Sequence, residues 1–139
     1  MPPLTRYFIK TALVYFVAAL LVGVLLLARP AFDLPSEIAA LSPVYFHLLM
    51  VGWVTQLIFG MLFWMLPKYS RERPRGNERW VWATYILINV GLVFRIVGEP
   101  LVALQPAAGA GWMLALSAVL QLLGGWSFLV NAWSRVKER

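Results

Sequence analysis

The sequence contains no cysteine, a single histidine and few charged side chains. Without cysteine the 139-residue chain cannot form disulfides, thiolate metal sites or haem attached through cysteine. Hydrolytic chemistry has no support, because there is no HExxH motif, no carboxylate pair and no nucleophile near the histidine. Only 13% of residues are charged whereas 61% are hydrophobic, which is more apolar surface than a soluble domain of this size can bury. These values predict an integral membrane protein.

Four apolar segments approach the roughly 20 residues that cross about 30 Å of hydrocarbon. They are residues 7–27, 44–66, 80–99 and 111–133. The first has no A-x-A cleavage site after it, so we interpret it as a span and not as a signal peptide. Prolines are expected to mark the span boundaries. The boundary prolines are Pro30, Pro35, Pro43, Pro67, Pro100 and Pro106. The predicted fold is all-α, one four-helix membrane domain of residues 1–139.

Basic residues are distributed unequally between the two predicted sides of the membrane. The net charge of +6 does not indicate a nucleic-acid partner, because the basic residues lie at the ends of apolar segments. Two of the twelve basic residues, Arg29 and Arg95, are predicted on one side. The other side has Arg6, Lys10, Lys68, Arg71, Arg73, Arg75, Arg79, Arg135, Lys137 and Arg139. The positive-inside rule therefore predicts that both termini and the loop of residues 68–79 are cytoplasmic, in a bacterial inner membrane.

Three polar residues are predicted to lie at a similar depth in the outer half of the membrane. His47 opens the second span, about one turn below the outer surface, and Arg95 and Glu99 lie near the outer end of the third. Arg95 and Glu99 share a helix face, so they can neutralise each other, or Arg95 can meet an external carboxylate. The histidine can bind a cofactor, or it can hydrogen-bond a carbonyl or Glu99 without binding anything.

The residues that follow His47 include small and aromatic side chains. Gly52 and Gly60 would let a flat ring or another helix approach, and Met50 is expected on the face of His47, one turn deeper. The aromatic residues of this segment are Phe46, Trp53, Phe59, Phe63 and Trp64. Both residue types are common in membrane helices, so neither alone indicates a cofactor.

The stretch HLLMVGWVTQLIFGM, which begins at His47, is followed by Pro67 and Lys68. It resembles the second transmembrane helix of the haem-copper oxidase catalytic subunit superfamily, especially members related to nitric oxide reductases and NnrS-type haem proteins. In that family the helix begins on the outer side with a histidine that ligates a b-type or related low-spin haem. The resemblance covers about one helix. It implies haem b as cofactor and His47 as a ligand of its iron.

The chain departs from this family in its other metal ligands. No histidine follows His47, so the chain cannot build a binuclear metal centre, and we expect no stand-alone reduction of oxygen or nitric oxide. A single haem remains possible, with His47 on one side. The other side would be open, or taken by Met113 or by His47 of a second chain. Arg95 would then meet a haem propionate.

Three functions remain open. The leading hypothesis is a haem-binding homodimer or larger homo-oligomer, for electron transfer or for gas or redox sensing near the outer leaflet, with a possible respiratory-chain partner. The first alternative is a cofactor-free accessory or assembly subunit of a respiratory membrane complex. Its packing surface would comprise Ala115, Ser117, Ala118, Gly124 and Gly125. The second is a small transporter or channel. Its pathway would be lined by Gln56, Asn89, Gln121 and Asn131, although such residues more often join helices by hydrogen bonds.

The predicted orientation can be tested by labelling introduced cysteines, because the chain has none of its own. A cysteine at Ser70 should be protected from an impermeant thiol reagent added to intact cells, whereas a cysteine at Ala108 should react. The expectation follows from the unequal distribution of basic residues. The reverse labelling pattern would contradict it.

Overall fold

A computed structural model describes residues 1–136, and these contain no β-strand. These residues form an all-helical fold, as predicted, and four of its helical segments are long and apolar enough to cross a membrane. The first segment is α1 (Pro3–Ala28). The second span consists of a 3₁₀-helix (Ser36–Leu41), α2 (Ser42–His47), a π-helix (Leu48–Thr55) and α3 (Gln56–Met65). The third segment is α4 (Glu78–Leu104), and the fourth is α5 (Gly111–Trp133), which follows a 3₁₀ turn (Pro106–Ala108). Lys137 and Arg139, two of the basic residues used for orientation, lie outside the described residues.

Two of the predicted span boundaries are wrong. Pro100 lies inside α4, which continues to Leu104. A proline has no N–H to donate to the carbonyl four residues earlier, here that of Ile96, yet membrane helices tolerate this loss. Pro67 does mark a boundary, because it follows the end of α3. Pro43 lies in the first turn of α2 but inside the second span, which begins at Ser36 and not at the predicted residue 44.

The second span changes its winding directly after His47. Eight residues form a π-helix, in which backbone hydrogen bonds join residues five apart. The hydroxyl of Thr55 donates to the carbonyl of Met50 at 2.8 Å and bridges the same spacing. The expectation that Met50 lies on the face of His47 assumed an α-helix, and π-helical winding changes the angle between the two side chains. Met50 is in fact more than half exposed.

The glycines of the second span admit helix α1. A Cβ atom at Gly52 would lie 2.8 Å from Cβ and Cγ of Tyr15, and one at Gly60 would lie 2.8 Å from Cβ of Phe8. Of the two occupants expected for these positions, a flat ring or another helix, the structure shows the helix. Helix α4 packs on α5 in the same way, because Gly124 contacts Ile88.

Several polar side chains inside the bundle are hydrogen-bonded to one another or to the backbone, although the buried hydroxyl of Thr5 has no partner among the described residues. Gln56 and Asn89 join the second span to α4 by two reciprocal amide bonds of 3.3 and 3.1 Å. Ser117 of α5 donates to the carbonyl of Gly91 at 2.6 Å, and Gln121 donates to Ser117 at 3.2 Å. The bonds of Gln56 with Asn89 and of Ser117 with Gly91 are the interhelical hydrogen bonds expected of such residues in a membrane, whereas the bond of Gln121 to Ser117 lies within α5.

Arg135 fixes one end of the bundle, where α1 and α4 begin and α3 and α5 end. We call this the basic end. The guanidinium is 1% exposed and donates to the carbonyls of Phe63, Leu66 and Pro67 at 3.0, 2.8 and 3.1 Å. A cation suits these free carbonyls because the C-terminus of a helix carries partial negative charge. Burial, and to a lesser extent the charge of Arg75, lowers the pKa of Arg135 from its ordinary value.

Loss of this guanidinium should destabilise the protein. We expect Arg135→Gln to lower the free energy of unfolding by about 2–4 kcal/mol, because buried carbonyls lose hydrogen bonds to a charged donor. Arg71→Gln is the matched control, since Arg71 is exposed and should change stability by less than about 0.5 kcal/mol. Thermal or denaturant unfolding in detergent measures both variants. Equal stability of the two variants would show that the buried contact contributes nothing.

Candidate functional site around His47

His47 is the last residue of α2 and lies where the α-helical winding ends. Its Nδ1 atom is 2.9 Å from the carbonyl oxygen of Pro43, one turn earlier in the same helix, and 3.0 Å from Oε1 of Glu99 on α4. Proline in the first turn starts the helix and places this carbonyl four residues before the histidine. The imidazole is therefore held by its own helix and by a carboxylate from the opposing one.

The contacts of Nδ1 favour one tautomer of the neutral imidazole. The carbonyl of Pro43 can only accept a hydrogen bond, so it is satisfied by the tautomer that carries the proton on Nδ1. In the neutral imidazole Nε2 then keeps its lone pair, and Nε2 makes no hydrogen bond to any described residue. The side chain is 29% exposed. This is the arrangement found in metal-binding histidines, in which a carbonyl or carboxylate orients the ring through its other N–H.

Glu99 joins His47 to Arg95. The same Oε1 atom that contacts the imidazole lies 3.6 Å from Nη1 of Arg95, one turn earlier on α4. The Glu99 side chain is only 8% exposed. Within residues 1–136, two buried atoms of this group lack a hydrogen-bond partner: Oε2 of Glu99 and Nε of Arg95. We call the three residues the His47–Glu99–Arg95 cluster.

The cluster shows which of the expected contacts are present. Arg95 and Glu99 neutralise each other, as their spacing on one helix face allowed, and the carboxylate that meets Arg95 belongs to the chain. His47 contacts both of the internal partners that were considered for it, a carbonyl and Glu99. The sequence indicated Glu99 only as a partner of His47 or Arg95. Its position between the imidazole and the guanidinium makes it a central member of the site.

Met113 lies near the cluster but on a different side of α4. It packs against Gly98, where an added Cβ atom would lie 3.2 Å from the Cβ of Met113. Glu99, the next residue, contacts His47 on α2. Consecutive residues of an α-helix point about 100° apart. Met113 and His47 therefore contact different sides of α4 within one chain.

Two features of the site had only weak signals in the sequence. The Ser42–Pro43 pair marks a helix start four residues before the histidine, which is the signal for the carbonyl contact. The π-helix has no comparable signal, because the apolar segment lacks a strong periodicity.

Among residues 1–136, no group of three or more His, Asp or Glu side chains could hold a metal ion. A metal at this site would thus depend on the single imidazole and on ligands from a cofactor or a second chain.

Comparison of the chain with protein-family models, curated proteins and solved structures finds no match. The resemblance of the segment after His47 to haem-copper oxidases has no support from these comparisons. The haem and the function that the resemblance implies are therefore proposals. The geometry of the His47–Glu99–Arg95 cluster is the physical support for them.

Proposed function

We propose that the protein is a membrane redox protein that binds a b-type haem through Nε2 of His47. The observation that carries this proposal is the anchoring of Nδ1 by Pro43 and Glu99, which leaves the other ring nitrogen as a free lone pair in a partly exposed position. Pro43 and Glu99 would orient the ring, and the carboxylate would raise the basicity of the ligand. When bound, haem supplies one-electron chemistry or a site for a gas molecule.

The donor chemistry fits a haem, and the packing limits where the ring can lie. Helix α1 fills the spaces at Gly52 and Gly60, so the macrocycle does not enter the bundle along this face. One concave surface lies between α1 and α2, and its lining includes Phe46, the residue directly before His47. It has a volume of about 240 Å³. Small-molecule pockets usually measure roughly 300–1,000 Å³. We infer that the haem lies at the surface of the bundle and is covered by a second copy of the chain.

Arg95 and Met113 differ in how well they suit the roles proposed for them. Arg95 uses Nη1 for Glu99, and its other terminal amino group could hold a propionate, whereas its Nε is buried. Met113 packs against α4 away from His47, so the second axial position is better left open or assigned to His47 of a second chain. The cluster would lie near the outer leaflet of a bacterial inner membrane, with the basic end cytoplasmic.

A cofactor-free accessory or assembly subunit is the second candidate, and the surface of α5 favours it. Gly124 and Ser117 are already used against α4. Ala115 and Ala118 are exposed, and a Cβ atom at Gly125 would meet nothing within 4 Å. These three positions would let a partner helix approach closely. No comparable observation favours a transport pathway, since Gln56, Asn89, Gln121 and Asn131 are hydrogen-bonded within the protein.

The haem proposal predicts a visible absorption spectrum that depends on His47. Protein purified after expression with ample haem should show a Soret band, and His47→Ala should abolish it because the only imidazole ligand is lost. Met50→Leu is the matched control, since Met50 is exposed on the following turn and its replacement should leave the band unchanged. A wild-type protein without a Soret band would overturn the proposal and leave the accessory subunit as the better candidate. A band that survives in His47→Ala would overturn the ligand assignment.

The haem-to-protein ratio, measured together with the mass in detergent, resolves the second axial ligand. One low-spin haem per two chains would indicate two imidazoles on one iron, because two imidazoles give a strong ligand field. One haem per chain within an oligomer would indicate an open position or Met113. A haem-loaded monomer would contradict both the shared site and the proposed oligomer.

A further inference from the structure

Three concave surfaces at the basic end lie side by side and share lining residues. The first is formed by residues 72–79 and has a volume of about 500 Å³. The second, of about 210 Å³, shares Arg73, Gly76 and Asn77 with the first and reaches Val130 and Ser134 of the α5 end. The third, of about 440 Å³, shares Val130 and Ser134 and continues along α5. We call the whole surface the basic-end cleft.

The chemical character of the cleft changes along its length. Its first part is lined by Arg73, Arg75 and Arg79 together with two glutamates. The third part is lined by apolar side chains, including Trp126 and Trp133, which are 65% and 76% exposed. Trp126 and Ser134 are eight residues apart, or about 12 Å along a helix axis. A ligand that fills the cleft must therefore be anionic at one end and apolar over about 12 Å at the other.

The arginines of the first part have charge available for a ligand. Among residues 1–136, Arg73 and Arg79 make no ion pair, and Arg75 has only an exposed contact of 3.9 Å with Glu78. An exposed contact of this length holds a guanidinium weakly. Arg135 differs, because its donors are used by the carbonyls at the end of α3. The lining of residues 72–79 carries three arginines against two glutamates, so it favours an anion.

The loop that forms the cleft is held in place by Asn131. This side chain is 4% exposed and donates to the carbonyls of Arg75 and Asn77 at 3.1 and 3.2 Å. Between them, Gly76 has a φ of +69°, which only glycine adopts readily, and a Cβ atom there would lie 3.2 Å from Nδ2 of Asn131. The oxygen of the Asn77 side chain accepts from the N–H of Arg79. Arg73 and Arg75 therefore extend from a loop whose backbone is fixed to α5, and Arg79 extends from the first turn of α4 directly after that loop.

We propose that the basic-end cleft binds one anionic glycerophospholipid of the surrounding leaflet. Its phosphate would lie between Arg73 and Arg79, since guanidinium groups bind phosphate oxygens through paired N–H donors. An acyl chain would run along α5 past Trp133 and Trp126, residues of the kind that line membrane interfaces. With the basic end on the cytoplasmic side, this lipid belongs to the leaflet whose anionic headgroups attract basic segments. The site is independent of the haem proposal.

The test measures lipid retention by the purified full-length protein in detergent. Native mass spectrometry counts bound phosphatidylglycerol and bound phosphatidylcholine of the same acyl length. Wild-type protein should retain one phosphatidylglycerol with about tenfold preference or more, because each arginine near an anionic lipid contributes roughly a fivefold factor. The double variant Arg73→Gln/Arg79→Gln should lose that preference. Lys68→Gln/Arg71→Gln removes the same charge from positions outside the cleft and should keep it.

Three results would overturn the proposal. The first is a double variant that keeps the wild-type preference. The second is an equal loss in the Lys68/Arg71 control, which would show a diffuse effect of charge and no site. The third is displacement of the lipid by glycerol phosphate at equal concentration, which would indicate a site for a free phosphate compound that makes no use of the apolar groove. All four arginine and lysine positions are exposed, and melting curves of each variant check that the fold is intact.

Discussion

Inside a bilayer a polar group has no water to bond with, so it must find a partner within the protein, and the described fold follows from this constraint. Gln56 and Asn89 satisfy each other across two spans, and Ser117 satisfies a carbonyl on the neighbouring helix. At the basic end Arg135 supplies donors for the carbonyls that α3 leaves free. Large apolar side chains are exposed on the outside of the bundle, and the helices meet through close packing at glycines together with these polar contacts.

The His47–Glu99–Arg95 cluster departs from this rule. Three groups satisfy each other through one carboxylate oxygen, yet Oε2 of Glu99 and Nε of Arg95 are buried without a partner, and Nε2 of His47 makes no bond to a described residue. Buried unsatisfied polar atoms in a membrane are costly, and of the three among the described residues, on Thr5, Arg95 and Glu99, two lie in this cluster. The π-helix that begins directly after His47 supports a functional interpretation of the cluster, because such windings often occur at functional sites.

Much of the fold could be predicted from the sequence, because the length of an apolar run reports directly on membrane crossing. The predicted last span coincides with Gly111–Trp133, and the pairing of Arg95 with Glu99 followed from their four-residue spacing. The role of Arg135 could not be predicted, since its partners are backbone carbonyls about 70 positions earlier and carbonyls leave no mark in a sequence. The π-helix was not predicted either, because its apolar residues show no periodicity that separates π-helical from α-helical winding.

The central claim is that His47 is held through Nδ1–H and presents an unprotonated Nε2 as a ligand. Nitrogen NMR of the purified, ¹⁵N-histidine-labelled protein tests this directly, because the chain contains one histidine and only its two ring nitrogens must be distinguished, through their couplings to the carbon-bound ring protons. In the neutral imidazole of haem-free protein, Nδ1 should show a bound proton and Nε2 should give the resonance of an unprotonated ring nitrogen. On addition of haem, the Nε2 resonance should shift or broaden most strongly. A proton on Nε2 with Nδ1 unprotonated would contradict the claim, because the carbonyl of Pro43 could not then hold the ring.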